Sequence, residues 1–264
     1  MKNNALTRRC WLAALGVTIP CLLYSAEVTN QPPAAGSTER TNQVESTRQA
    51  RPPPPAIAIR AKVVYKPPLL GTPAVRIDGG SRGSGVSLVC LTVLTPDQTA
   101  FTVQEQPSLF WYQSDSADVP FELTLLTRNT VQPLLRLQLP SARGIQRLNL
   151  ADHNVKLVPG VEYEWVVALV VDPKNRSKDV VAGGWIERVE PSTSLRSRLE
   201  NASAEDLPSV YAEEGIWLDT LTAISALIDA HPKDRPLQEA RAGLLDQVGL
   251  TNAATYLTSQ ITRE

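Results

Sequence analysis

Residues that usually build active sites are scarce in this chain. Its 264 residues include two histidines and three cysteines. His153 lies in Asp152-His153-Asn154 and His231 precedes Pro232, so neither stands at a metal-ligand spacing. The first reads as a turn residue. The second reads as a helix-end cation facing the negative end of the dipole. Cys10 and Cys21 fall in what reads as an export signal, which leaves Cys90 alone and excludes an intramolecular disulfide. An excess of basic charge is also missing. The chain carries 26 Lys and Arg against 27 Asp and Glu, without the basic clusters of a nucleic-acid binder. Glu213-Glu214 and Asp219 form a carboxylate cluster near a helix turn, read as a solvated face rather than an acid–base pair. The apolar run Trp11 to Tyr24 is about 14 residues, short of the roughly 20 that a spanning helix needs. No transmembrane segment is expected after it.

What is present starts with a basic stretch, Lys2, Arg8 and Arg9, ahead of that apolar run, with small residues at Ser25 and Ala26. This order reads as a removable export signal over residues 1–26, cut after Ser25 or after Ala26. Thr7-Arg8-Arg9-Cys10-Trp11-Leu12 resembles a twin-arginine signal, but an ordinary basic region is the preferred reading. Thr18-Ile19-Pro20 lack the small residues that lipoprotein processing at Cys21 requires, so no lipid anchor is expected. Loss of Lys2, Arg8 and Arg9 takes 26 basic residues to 23 against 27 acidic, a net charge of −4. The expected destination is the periplasm or the extracellular space.

Residues 27–59 hold Pro32, Pro33 and the run Pro52 to Pro55 among Ser, Thr, Gln, Glu and Arg. They carry too little apolar surface to offset chain entropy, and a disordered Pro-rich linker is expected. A strand is expected over Arg60 to Lys66, then a flexible arm from Pro67 to Gly85. The Gly79-to-Gly85 cluster is no phosphate loop, because no Gly-Lys-Ser/Thr follows it and Pro96 interrupts the helix that should.

From Val86 to Val189 strand signals dominate. Candidates are Val86 to Leu94, Ala100 to Gln104, Ser108 to Tyr112, Phe121 to Thr127, Val131 to Leu139 and Gly144 to Leu150. The strongest follows the Pro159-Gly160 turn, where Val161, Tyr163, Trp165 and Val167 alternate with Glu162, Glu164 and Val166. A return strand runs from Asp179 to Val189. Short strands at this spacing point to an antiparallel β-sandwich over residues 60–190. Leu157-x-Pro159-Gly160-x-x-Tyr163-x-Trp165-x-Val167 resembles the strand entry of immunoglobulin-like sandwiches, in which the Tyr caps a corner. Trp111, Trp165 and Trp185 are therefore expected to be core or sheet-packing aromatics, and Cys90 to be a buried thiol.

After Pro191 the period turns helical. Ser192 to Asn201 reads as a helix capped by Ser192 or Thr193. Leu207, Tyr211, Gly215, Trp217, Leu221, Ile224, Leu227, Ile228 and His231-Pro232 follow at the spacing of one tetratricopeptide-like unit, with Pro208 and Thr220 as departures. One unit cannot bury a solenoid core. Residues 191–264 are therefore expected to pack on the sandwich through a seam at Trp217, Leu221, Ile224, Leu227 and Ile228. A further helix runs from Pro236 to Val248 and stops at Gly249, and Asn252 caps a last one. The fold class is α+β by segments.

Longer motifs carry a resemblance. They are Leu91-Thr92-Val93-Leu94-Thr95-Pro96, Pro107-Ser108-Leu109-Phe110-Trp111-Tyr112, Asp172-Pro173-Lys174-Asn175-Arg176-Ser177-Lys178-Asp179, Gly184-Trp185-Ile186-Glu187-Arg188 and Tyr211-Ala212-Glu213-Glu214-Gly215-Ile216-Trp217. In this order, from about residue 78 to 251, the chain resembles an uncharacterised cyanobacterial exported family, domain of unknown function 928. The resemblance implies proteins that accompany membrane sensors and secreted adhesin-like proteins, and it brings no catalytic residue. Members often carry a Cys before the Asp-Pro loop, and the resemblance suggests it as a partner for Cys90. Here Val171 stands in its place.

Two groups of residues are candidates for ligand contact. Phe110-Trp111-Tyr112 places a large aromatic on each face of its strand, which makes Trp111 and Tyr112 candidates for stacking on a sugar. Asp172, Arg176 and Asp179 form the best polar constellation. Its plainer reading is a hydrogen-bonded loop in which Asp172 caps the turn and Arg176 pairs with Asp179. The first functional reading is an exported, non-enzymatic interaction module for a protein partner, tied to an envelope sensor or a secreted adhesin system. The alternative is a carbohydrate-binding module for cell-wall or extracellular polysaccharide. Neither calls for a cofactor or a metal.

Overall fold

The computed structural model describes residues 63–68, 76–80, 89–128 and 130–263. The expected signal at 1–26 and linker at 27–59 lie outside the described residues, as does most of the Gly79-to-Gly85 cluster. The described residues contain both β and α structure, in two sheets and five helices.

The strands are β1 (Gly79–Gly80), β2 (Cys90–Val93), β3 (Ala100–Thr102), β4 (Ser108–Gln113), β5 (Phe121–Thr127), β6 (Leu135–Leu139), β7 (Gly144–Asn149), β8 (Glu162–Leu169) and β9 (Val180–Arg188). One sheet has the order β1-β2-β4-β7 and the other β3-β9-β8-β5-β6. Every strand pair but one is antiparallel. β3 runs parallel to β9, with Ala100 opposite Ile186, and this corrects the expectation of a wholly antiparallel body. The chain leaves β2 in one sheet and reaches the edge of the other already heading in the direction of β9.

The alternation in β8 sets its two faces. Tyr163, Trp165 and Val167 are buried, while Glu162, Glu164 and Val166 stay half-exposed. Phe121, Leu123 and Leu125 of β5 add to the same inner face. Trp111 of β4 stacks on Phe121 with ring centres 5.5 Å apart, so the two sheets meet there. At Gly184 of β9 the approach is close enough that a Cβ would run into Thr95 Oγ1. Only glycine fits that contact.

The helices are α1 (Thr193–Asn201), α2 (Leu207–Glu213), α3 (Trp217–Ala230), α4 (Arg235–Gln247) and α5 (Thr251–Arg263). Ser192 caps α1 by accepting the Leu195 N–H at 3.0 Å, and Asp234 caps α4 through the Leu237 N–H at 3.2 Å. Gly249, at φ 75°, ends α4 in the left-handed conformation. α5 already starts at Thr251, so Asn252 lies inside it rather than at its cap. Trp217 of α3 is fully buried and donates its indole N–H to the Leu94 carbonyl at 2.7 Å. Leu91, Leu109 and Trp165 of the sheets share one continuous apolar core with Trp217, Leu221, Ile224, Leu244 and Leu257 of the helices.

Two local expectations change. Residues 63–66 pair with no strand among the described residues. Cys90 is half-buried rather than buried, since it opens β2 and faces α5, where Asn252 lies 3.5 Å from its sulfur. Val171 follows the end of β8, in the other sheet.

Candidate functional site

β4 carries the first pair of sequence candidates. Trp111 and Tyr112 are 4% and 6% exposed, because the strand is covered on both faces. Trp111 turns toward β5. Tyr112 turns toward α5 and meets the Tyr256 ring at 5.3 Å. Burial, with Cys90 and Tyr256 beside it, pushes the Tyr112 hydroxyl above its ordinary pKa. The expectation of a stacking aromatic at Trp111 or Tyr112 is thus corrected: the helical layer closes the face that alternation left open.

Trp111 and Trp165 pack in the core, whereas Trp185 packs on the sheet. It is half-buried on the outward face of β9, with the Arg128 guanidinium 5.2 Å from its ring centre and Arg128 paired with Glu162. The signal was present in the sequence, since Trp185 shares its strand parity with Glu187 and not with Ile186. The Glu187 carboxyl is pushed up by burial and by Glu162 on the neighbouring strand.

The second group divides in two. Arg176 donates to Asp179 at 2.5 Å and also to Glu122 of β5 at 2.9 Å, a partner that sequence reading missed. Asp172 stands apart from them. It accepts the Lys174 N–H at 3.0 Å and faces Lys178 Nζ at 3.4 Å, and the backbone bond from Lys174 holds its pKa below the ordinary value. The pairing of Arg176 with Asp179 and the turn-capping by Asp172 are both present. The guanidinium is already shared between two carboxylates.

The carboxylates near the helix turn also separate. Glu213 and Glu214 pair with Arg198 of α1 at 2.6 and 2.8 Å. Asp219 is not part of a solvated face. It is buried at the start of α3, where Oδ2 accepts the Thr102 hydroxyl at 2.6 Å and the Val103 N–H at 3.3 Å. Among the described residues Oδ1 is buried without a hydrogen-bond partner of good geometry, and burial outweighs the donors and pushes the pKa from 3.8 up to about 6.

The least expected arrangement is a strap. Residues 63–66 lie extended across the helical layer with Val63 and Tyr65 buried. Gln247 of α4 pairs with one edge of this backbone through both ends of its amide: its Oε1 accepts the Tyr65 N–H at 2.9 Å, and its Nε2 donates to the Val63 carbonyl at 3.1 Å. The Lys66 N–H donates to the Ala212 carbonyl of α2 at 3.0 Å. The Tyr65 ring meets Trp217 edge-on at 4.9 Å, and its burial raises the hydroxyl pKa. Gly215 makes room for the strap. It sits at φ 73°, and a Cβ there would lie 2.9 Å from the Lys66 carbonyl oxygen.

The family model described as Domain of Unknown Function (DUF928) matches residues 77–257, well over half of the chain. The chain belongs to the DUF928 family. No curated protein matches it. In DUF928 terms the matched span holds both sheets, the loop at 172–179, Trp185 and Gly215, while the strap at 63–66 precedes it.

Proposed function

We propose that this DUF928 protein is an exported, non-enzymatic interaction module whose helical layer takes up an extended segment of a protein partner. The observation that carries the reading is the pair of hydrogen bonds between the Gln247 amide and the strap backbone, with Tyr65 anchored against Trp217. Main-chain bonds give such docking its affinity and one inserted aromatic gives it register. The body is read as an immunoglobulin-like sandwich. In support, the Tyr163 hydroxyl accepts the Val158 N–H at 2.9 Å, a corner contact of that fold type. The helix pair α2–α3 is read as a single tetratricopeptide-like hairpin, on the Tyr211-Gly215-Trp217 spacing. The partner belongs to an envelope sensor or a secreted adhesin system, met in the periplasm or outside the cell. The polysaccharide reading relied on exposed aromatics at Trp111 and Tyr112, which the fold buries, so the protein-partner reading is kept.

A strap tethered in cis faces its groove at an effective concentration on the order of millimolar, and a partner must outcompete it. The test supplies a fluorescent peptide of residues 58–68 in trans to the full chain. Wild type is expected to bind it weakly, and Tyr65→Ala, with its own strap loosened, at least tenfold more tightly. Adding Gln247→Ala to Tyr65→Ala is expected to abolish that gain. Equal peptide binding by wild type and Tyr65→Ala would overturn the reading.

A further inference from the structure

Where α3, α4 and α5 meet β7 there is a cavity of about 270 Å³. It is separate from the strap and from the loop at 172–179. Its lining is mixed, with apolar surface from Ile145 of β7, Ile228 of α3 and Leu257 of α5 and polar groups from Gln238, Arg241 and Gln260. From α4 comes Arg241, whose guanidinium burial pushes below its ordinary pKa. Among the described residues Arg241 makes no hydrogen bond or ion pair, and its Nε is buried without a partner. Asp229 acts on it from a distance only, being paired with Arg147 at 3.0 Å. One turn earlier on α4, Gln238 also lines the cavity.

A partly buried guanidinium whose nearest counter-charge, Asp229, is distant and already paired is unfavourable, and an anion brought to it lowers that cost. Its planar fork matches a carboxylate in two parallel hydrogen bonds. The apolar side of the lining, at Ile145, Ile228 and Leu257, disfavours a small, fully hydrated ion, which would leave it facing polar surface. At roughly 30 Å³ per water the cavity equals about nine waters, room for a ligand of about ten non-hydrogen atoms. The Arg143 guanidinium, 5.9 Å from the Tyr256 ring that also lines the cavity, adds positive charge nearby.

We propose that this cavity binds a small free carboxylate on an aliphatic or aryl body, with its head group on Arg241 and its body against Ile145, Ile228 and Leu257. The site is independent of the strap groove. Octanoate is the probe, titrated calorimetrically into the full chain beside octanol and octylamine, which share its body but not its charge. Octanoate is expected to bind with a Kd of about 1 mM or tighter and at least tenfold more tightly than octanol, with octylamine weakest. Arg241→Gln is expected to make octanoate and octanol bind alike. Ile261→Trp keeps Arg241 but fills the cavity from the far end of α5, and is expected to abolish binding of both. Octanoate binding no tighter than octanol in wild type would overturn the site, as would a charge preference that survives Arg241→Gln.

Discussion

In the loop at 172–179, Asp172 finds its partners two and six residues along the chain, in water. At the seam under α3, Asp219 meets Thr102 of β3, 117 residues earlier in the chain, out of water. Both sites set a carboxylate among hydrogen-bond donors, yet the surroundings send them opposite ways. Solvated donors pull Asp172 down, whereas desolvation outweighs the donors at Asp219 and pushes it up. The loop is a local device of small energetic weight. The seam ties two layers of the molecule together and is sensitive to every atom it holds.

The largest expected effect comes from the seam. Trp217→Ala empties a fully buried site and leaves the Leu94 carbonyl without its donor, a loss of about 3–5 kcal/mol in urea unfolding. A loss below about 1 kcal/mol would mean that the helices rest on the sheets without packing into them.

Asp219 gives the next effect, and its sign is unusual for an acid. Its folded pKa, about 6, lies above the ordinary 3.8, so the folded state binds the proton more tightly. This stability is fully present below about pH 4 and is lost as pH rises through about 6. The shift corresponds to a swing on the order of 3 kcal/mol. Asp219→Asn cannot titrate, so the wild-type minus variant stability should fall by that order between pH 4 and 7. A difference that stays flat, or rises with pH, contradicts the buried setting.

The smallest effect belongs to the loop. Lys178→Ala removes an exposed pair with Asp172, and its melting temperature at low salt should be indistinguishable from that of wild type. A clear drop would place the loop on the same footing as the seam.

How far these features were legible depended on where their partners lie. The faces of β8 follow from alternation alone, and the stop at Gly249 follows from one residue type. At Val63 to Lys66 the alternation is also real, with Val63 and Tyr65 buried and Val64 and Lys66 exposed. It reads as a strand because period two reports two faces and not what covers them. Here the cover is helical. Tyr112 was misread for the same reason, since α5 arrives from the far end of the chain. Asp219, in the first turn of a helix, fits the dipole so well that a solvated face was the natural reading. Nothing in the sequence around Arg241 marks it as lacking a partner among the described residues, because that property comes from three other elements packing around it.

The claim most open to direct test is that sheets and helices form one folding unit around a shared core. Residues 191–264 expressed alone and followed by far-ultraviolet circular dichroism measure it. Without the sheet face that receives Trp217, Leu221 and Ile224, the fragment is expected to show little helix and no cooperative melt. A fragment with near-native helix content and a sharp thermal transition would contradict the account and make the helical layer a domain of its own.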